Sequence, residues 1–263
     1  MVTRQFLPSD KFLKDAPVDV SSYVLLSQEQ ALRRRLDVAA NNLANMNTVG
    51  FKREQPVFRE MVKEGETTVT PDAKKTSFVL DYGAVHDASS GGFQLTDNPL
   101  DVMIEGPGYL SVEAPGGGTA YTRAGYIKVL QSGELATAGG QKILGEGGKP
   151  ISVPPENAGQ ISISPDGSVM GPQGPLGRIT VTQFDEAGLD PRGDGMFNGS
   201  NGRELSAAET KLKSGGVEGS NVNAIVETTD MVEILRAYQT SMNLNESMSD
   251  LRKKAIDRLG RVG

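Results

Sequence analysis

A stretch without Gly or Pro runs from Asn223 to Leu259, close to the end of the 263-residue chain. Apolar and aromatic residues recur in it at spacings of four and three, the pattern of a helix with one apolar stripe. A helix of roughly 35 residues is about 50 Å long, which exceeds the width of a small domain. Such a helix needs partners outside its own domain. The first part of the stripe comprises Met231, Leu235, Tyr238 and Met242, and the pattern then shifts in register toward Leu251.

A second helix is predicted near the other end of the chain. Its apolar residues follow spacings of seven, four, three, four and three, and Gly50 lies just beyond the expected end. One narrow stripe with charged flanks is typical of a helix that pairs with other helices. The stripe comprises Leu25, Leu32, Leu36, Ala39, Leu43 and Met46.

The region between the helices has a different texture. It is rich in Gly and Pro and contains short apolar runs separated by turn signals, as in an all-β domain. We therefore predict an α+β protein in which long terminal helices pair in a coiled-coil-like layer and flank a central all-β domain. The predicted boundaries are an N-terminal extension (1–20), a helix (21–47), an extended arm and loop (48–80), the β-domain (81–219) and the C-terminal helix (220–263).

Composition excludes several functional classes. The chain has no Cys and one His, which excludes disulfides, thiol nucleophiles and Cys-based metal sites. A formal net charge of −6 gives no global basic field for binding nucleic acid. The sequence shows neither an apolar run long enough to insert in a membrane nor the pattern of a cleaved signal peptide.

Several motif look-alikes do not predict catalysis, a cofactor or a metal. His86 and Asp87 lie in a Gly-rich loop, where such a pair is usually a surface turn. The run 145–150 resembles a phosphate loop, but Pro150 follows its Lys where Ser or Thr is needed. Asp190, Asp194 and Asn198 are spaced by four, which does not fit a calcium loop.

Three segments resemble a known family. They are Leu36 to Lys52, Asn98 to Leu110 with its continuation Tyr121 to Gly125, and Glu218 to Asn223. Together they are similar, in order and over nearly the whole chain from Tyr23 to Arg261, to bacterial flagellar rod and hook proteins. The segments 23–27 and 250–260 favour a proximal rod subunit, with the distal rod or another hook or rod component as the alternative.

The resemblance implies a non-enzymatic axial subunit of the flagellar basal body. It implies export by the flagellar type III apparatus without a cleaved signal, and folding into a tube that crosses the periplasm and transmits torque. The implied partners are other rod subunits, copies of this chain and the export apparatus, with the surrounding ring proteins as further contacts. Residues 1–20 lie upstream of the usual start of the family.

The residues expected to carry assembly are apolar side chains of both helices and amides near the end of the first. Three Asn within five positions exceed the needs of a helix cap, and buried amides can fix the register between helices. Gly50 permits a turn with positive φ, and Phe51 anchors the arm that follows. The predicted set is Leu32, Leu36, Asn41, Asn42, Leu43, Asn45, Gly50, Phe51, Met231, Leu235, Tyr238, Met242, Leu251 and Ile256.

The helical regions near both ends of the chain are locally basic, so we hypothesise that their basic residues form ion pairs with neighbouring subunits. The alternative is that these basic residues lie on faces exposed to solvent. A remote alternative function is a cell-wall-cleaving enzyme. It requires two carboxylates across a cleft, for which Asp101, Glu105 and Glu113 are candidates. No pattern in the sequence places two of them opposite each other.

Overall fold

A computed structural model describes residues 20–63, 76–157, 159–184, 188–192 and 194–260 of the chain. The predicted extension 1–20 lies outside them except for its last residue. Two compact units divide the chain. We call residues 1–36, 57–83 and 232–263 the helical unit, and residues 37–56 and 84–231 the β unit.

Two long helices flank a strand-rich region, as predicted, although pairing as a coiled coil stays a prediction. Helix α1 spans Val20–Ala44 and helix α2 spans Ala224–Leu259. Asn223 caps α2, because its Oδ1 accepts hydrogen bonds from the N–H groups of the second and third helical residues at 3.0 and 3.4 Å. The segment 45–50 that follows α1 turns back at Gly50, where φ is +70°.

The buried side of α2 in the helical unit coincides only in part with the predicted stripe, since Tyr238 is half-buried. Ile234 and Ser241 are buried, whereas 42% of Leu235 and 51% of Met242 is exposed. In α1 the predicted residues Leu25 and Leu32 are buried. The described residues cover the side of α2 that carries Ile234 and leave Leu235 and Met242 exposed.

The segment predicted as an extended arm and loop forms a two-stranded sheet. Strand β1 spans Glu54–Lys63 and β2 spans Thr76–His86. In the helical unit, the guanidinium of Arg59 lies 3.5 Å from the ring centre of Tyr82, and Arg34 Nε lies 3.3 Å from a carboxylate oxygen of Asp81. Residues 64–75 of the predicted loop lie outside the described part.

The β unit contains a six-stranded sheet and several short ladders. Among the described residues, neighbouring strands of these sheets are antiparallel. The six strands lie in the order β13-β14-β6-β5-β12-β15, and the smaller sheets are β11-β10-β9, β16-β4, β17-β3 and β7-β8. The strands are β3 (Phe93–Leu95), β4 (Val102–Ile104), β5 (Tyr109–Glu113), β6 (Thr119–Thr122), β7 (Ile127–Val129), β8 (Leu135–Thr137), β9 (Ser162–Ile163), β10 (Ser168–Gly171), β11 (Gly174–Arg178), β12 (Val181–Gln183), β13 (Leu189–Pro191), β14 (Met196–Gly199), β15 (Arg203–Glu204), β16 (Leu212–Ser214) and β17 (Gly216–Glu218).

The core of the β unit is aliphatic and is built from the apolar runs that the sequence predicts. Leu110, Ile143 and Ile179 are fully buried in it. The predicted runs correspond to β4, β5, β7, β9 and β12, whereas the runs 142–144 and 151–153 form only isolated bridges. The sequence gives no strand signal for β3, β6, β8, β10, β11 and β13 to β17, because these strands are short and their few apolar residues are mixed with polar residues and Gly. The result is a domain of short strands held by many turns.

Candidate functional site: a buried polar junction

Three charged side chains meet inside the β unit. Lys52 Nζ lies 2.7 Å from Glu218 Oε1, and Arg123 Nη1 lies 2.8 Å from Glu218 Oε2. At most 2% of each side chain is exposed. Each cation has a second acceptor, the carbonyl of Ser89 for Lys52 at 2.6 Å and the carbonyl of Gly106 for Arg123 at 2.7 Å. One carboxylate therefore pairs with two buried cations from distant parts of the chain, and we call these three residues the charge cluster.

Two glycines bring the backbone close enough to form the charge cluster. The N–H of Gly50 donates to the carbonyl of Glu218 at 2.8 Å, and the N–H of Gly91 donates to Glu218 Oε1 at 2.9 Å. A Cβ on Gly50 would lie 2.5 Å from the backbone carbon of Arg123. A Cβ on Gly91 would lie 1.9 Å from the carbonyl oxygen of Gly219. Side chains at either position would force the segments apart.

Burial and charge oppose each other in the charge cluster. Burial, helped by the neighbouring Arg123 guanidinium, lowers the pKa of Lys52 from its usual value. Burial disfavours the ionised form of Glu218, but the attraction of Arg123 and Lys52 outweighs it and lowers the pKa of that carboxyl. Glu218 is therefore held ionised between its two cations.

A second cluster joins the end of α1 to the start of α2. The Glu227 carboxylate is buried and accepts hydrogen bonds from Arg53 Nε at 2.5 Å and from Asn42 Nδ2 at 3.3 Å. Asn42 also donates to the carbonyl of Glu54 at 2.9 Å and accepts from its N–H at 2.8 Å. The Asn42 amide thus uses donor and acceptor together, which a carboxylate or an apolar side chain cannot do.

Asn221 lies between the two clusters. Its Oδ1 accepts from the N–H of Arg53 at 2.6 Å, and its Nδ2 donates to the carbonyls of Asp87 and Ser89 at 3.1 Å. The carbonyl of Ser89 is also the second acceptor of Lys52. Asn221 thus connects the charge cluster to the second cluster, which consists of Asn42, Arg53 and Glu227. We call the whole network the polar junction. It links all three segments that carry the family resemblance.

The junction contains only some of the residues predicted for assembly. Asn42 and Gly50 belong to it, and Phe51 accepts through its carbonyl from Asn221 N at 3.4 Å. Asn41 and Asn45 form a local cap, since Asn45 Nδ2 donates to the Asn41 carbonyl at 2.9 Å. The remaining predicted residues lie on the helices: Leu32 is buried, Leu36, Leu43, Met231 and Tyr238 are half-buried, and Leu235, Met242, Leu251 and Ile256 are exposed.

No sequence pattern assigns a role to Arg123, Glu218 or Glu227. Arg123 and Glu218 lie inside the segments that carry the family resemblance. The feature that could have marked them is a charged residue among Gly, Ala and Asn. Their meeting could not be derived, because 95 and 166 positions separate Glu218 from its two partners. Arg53 is one of the basic residues expected to pair with neighbouring subunits, and it pairs within the chain with Glu227, for which the sequence gives no signal.

The motif look-alikes have structural roles. The ring of His86 packs edge-on against Phe197 at 5.2 Å, and its Nδ1 lies 3.4 Å from the carbonyl of Lys52. Asp101 is buried and accepts from Thr96 Oγ1 at 2.7 Å and Asn98 Nδ2 at 2.9 Å, so it fixes a loop. Within the described residues no group of His or acidic side chains has the arrangement of a metal site. None of the described helices is long and apolar enough to span a membrane.

Fold and junction together define a structural protein with two terminal helices tied to one β unit. Family models match along the chain: "Flagella basal body rod protein" at residues 23–52, "Flagellar hook protein FlgE/F/G D1 domain" at 103–171, and "Flagellar basal body rod FlgEFG protein C-terminal" at 213–258.

Curated relatives are similar over almost their full length. The flagellar basal-body rod protein FlgF of Caulobacter vibrioides is 33% identical over 248 residues, 93% of this chain and 100% of the relative. FlgF of Mesorhizobium japonicum is 31% identical over 91% of this chain and 98% of the relative. FlgG of Bacillus subtilis is 31% identical over 90% of this chain and 98% of the relative. The chain belongs to the flagellar basal-body rod protein family. It is a structural subunit of the basal body and not an enzyme.

Proposed function

We propose that this chain polymerises in the flagellar rod through its two terminal helices, which form a coiled-coil-like layer with the helices of neighbouring subunits. The observation that carries the proposal is the exposed end of α2. Residues 249–260 are all exposed and include Leu251 and Ile256, 66% and 68% exposed. Leu244 and Leu251 lie seven residues apart on one side of α2 and are 50% and 66% exposed. Apolar side chains in such a row are covered in stable proteins, so neighbouring subunits would cover them.

Leu235 and Met242 form a second exposed apolar row on α2, on a different side of the helix from Leu251. They lie seven residues apart and therefore on one face, next to the buried side that carries Ile234 and Ser241. The described part of the chain thus covers one face of α2, and we assign the adjacent, exposed face to a second contact. Copies of this chain and other rod subunits are the proposed partners.

The polar groove beside α2 supports charged contacts between subunits. Glu29 of α1 lines it together with Glu246, Asp250 and Lys253 of α2, and the cavity has a volume of about 680 Å³. Exposed Arg33 and Arg35 of a neighbouring copy have the complementary charge. Such pairs would favour the correct partner and speed association more than they strengthen binding.

Position in the rod and route of delivery are part of the proposal. The FlgF relatives support a proximal rod subunit, and the FlgG relatives keep the distal rod as the second candidate. Delivery by the flagellar export apparatus without a cleaved signal, contact with ring proteins and transmission of torque follow from a place in the rod. Counting the chain against FlgG in purified basal bodies by quantitative mass spectrometry separates the two positions: fewer copies support the proximal rod.

Incorporation into basal bodies tests the helical contact. Leu251→Asp places a charge in the exposed apolar face, and we expect it to abolish incorporation while leaving the β unit folded. Leu251→Met keeps an apolar side chain at the same position; it is the matched control and should be incorporated normally. Normal incorporation of Leu251→Asp would show that α2 does not make this contact.

A further inference from the structure

The charge cluster can form only after most of the chain has been made. Lys52 and Arg123 precede Glu218 by 166 and 95 positions. A chain made from its N-terminus presents both cations well before the carboxylate that both contact. A buried charge that lacks its partner is strongly unfavourable, so neither side chain can take its buried place until residue 218 is available.

The contacts of the residues that follow Glu218 form together with the charge cluster. Glu218 lies at the end of β17, which pairs with β3, and the N–H of Gly219 donates to the carbonyl of Gly92 at 2.8 Å. Asn221 and Glu227 then bind Arg53 and Asn42. Closing the charge cluster thus brings the start of α2 to the end of α1.

We propose that Glu218 makes assembly conditional on a complete chain: the two cations prevent the β unit from closing until β17 arrives, and only then are the ends of both helices set for polymerisation. The polymerisation step in this statement rests on the proposed function, whereas the folding step does not. An incomplete chain would remain open and would not enter the rod in a wrong arrangement.

Pulse-labelling hydrogen exchange during refolding of the full chain tests the folding step. The amides of Asp87 and Val102 donate to the carbonyls of Arg53 and Gly125 and do not contact Glu218. We expect them to gain protection with the same time constant as the amide of Gly219. Earlier protection of Asp87 and Val102 would overturn the proposal.

A neutral variant separates charge from topology. In Lys52→Met/Arg123→Met/Glu218→Met, an apolar group of long side chains replaces the ions, an exchange that proteins often tolerate. We expect Asp87 and Val102 to gain protection before Gly219 in this variant. Simultaneous protection of all three amides would show that charge does not set the order.

Glu218→Gln keeps the test decisive if the neutral variant does not fold. This substitution leaves two cations without an anion, so we expect the population of the open form to rise about a hundredfold or more. Hydrogen exchange should then become faster at Asp87, Val102 and Gly219 together. Exchange at Gly219 alone would overturn the proposal. Leu251→Asp should refold like the original chain, so failure of the helical contact is distinguishable from failure of the folding step.

Discussion

Glu218 Oε1 accepts hydrogen bonds from Lys52 Nζ at 2.7 Å and from the N–H of Gly91 at 2.9 Å, and its other oxygen binds Arg123. The carboxylate has no exposed surface. Its environment is that of a structural anion, because every group near it is a donor fixed by another part of the fold. In a rod protein such a residue holds the helical ends to the β unit.

Removing the negative charge of Glu218 should destabilise the β unit. Glu218→Gln leaves Lys52 and Arg123 buried without a counter-charge, and we expect a loss of about 3–5 kcal/mol in the free energy of unfolding. Urea unfolding followed by circular dichroism measures it. Glu105→Gln, on an exposed residue of the same unit, should change it by less than about 0.5 kcal/mol. Equal effects of the two substitutions would contradict the role of the cluster.

Acidic pH should remove the contribution of Glu218 to the stability of the fold. Its pKa is lowered in the folded protein from the usual value of 4.5, so its stabilising effect is complete above that value and disappears as the pH falls through the lowered folded value. The difference in Tm between the original chain and Glu218→Gln should therefore be largest near neutral pH and shrink in acid. A difference that stays constant over this range would show that ionised Glu218 does not stabilise the fold.

Gly50 should be intolerant of a side chain for two separable reasons. Gly50→Ala requires a non-glycine residue at φ +70° and puts a Cβ 2.5 Å from the backbone of Arg123. Gly147→Ala is the matched control, with φ +74° and no heavy atom within 4 Å of the added carbon. We expect about 1 kcal/mol of destabilisation for Gly147→Ala and at least twice that for Gly50→Ala, measured by thermal unfolding. Equal losses would exclude the steric contribution.

Glu227 should hold the ends of the two helices. Glu227→Gln weakens the contacts with Arg53 and Asn42, and we expect about 1.5–3 kcal/mol of destabilisation because Glu227 is buried and its bond to Arg53 is charge-assisted. Hydrogen exchange should accelerate in the last turn of α1 and the first turn of α2. Glu233→Gln lies on the exposed side of α2 and provides the comparison. Unchanged exchange in both turns of Glu227→Gln would contradict the assignment.

The sequence by itself determined the element types. Absence of Gly and Pro from Asn223 to Leu259 leaves a long helix as the favoured structure, and alternating short runs with Gly turns favour short strands, because both signals are local. Local signals also marked Gly50 as a turn with positive φ and Asn42 as an amide with a structural role.

Only the tertiary structure decided which side of α2 is covered and which charges meet. Periodicity could not separate Leu235 and Met242 from Ile234 and Ser241, because each pair fits a helical stripe and burial depends on which side of α2 the rest of the fold covers. Lys52, Arg123 and Glu218 resemble exposed charges when they are read singly. Their burial is stable only together, and the fold alone brings such distant positions to within hydrogen-bonding distance.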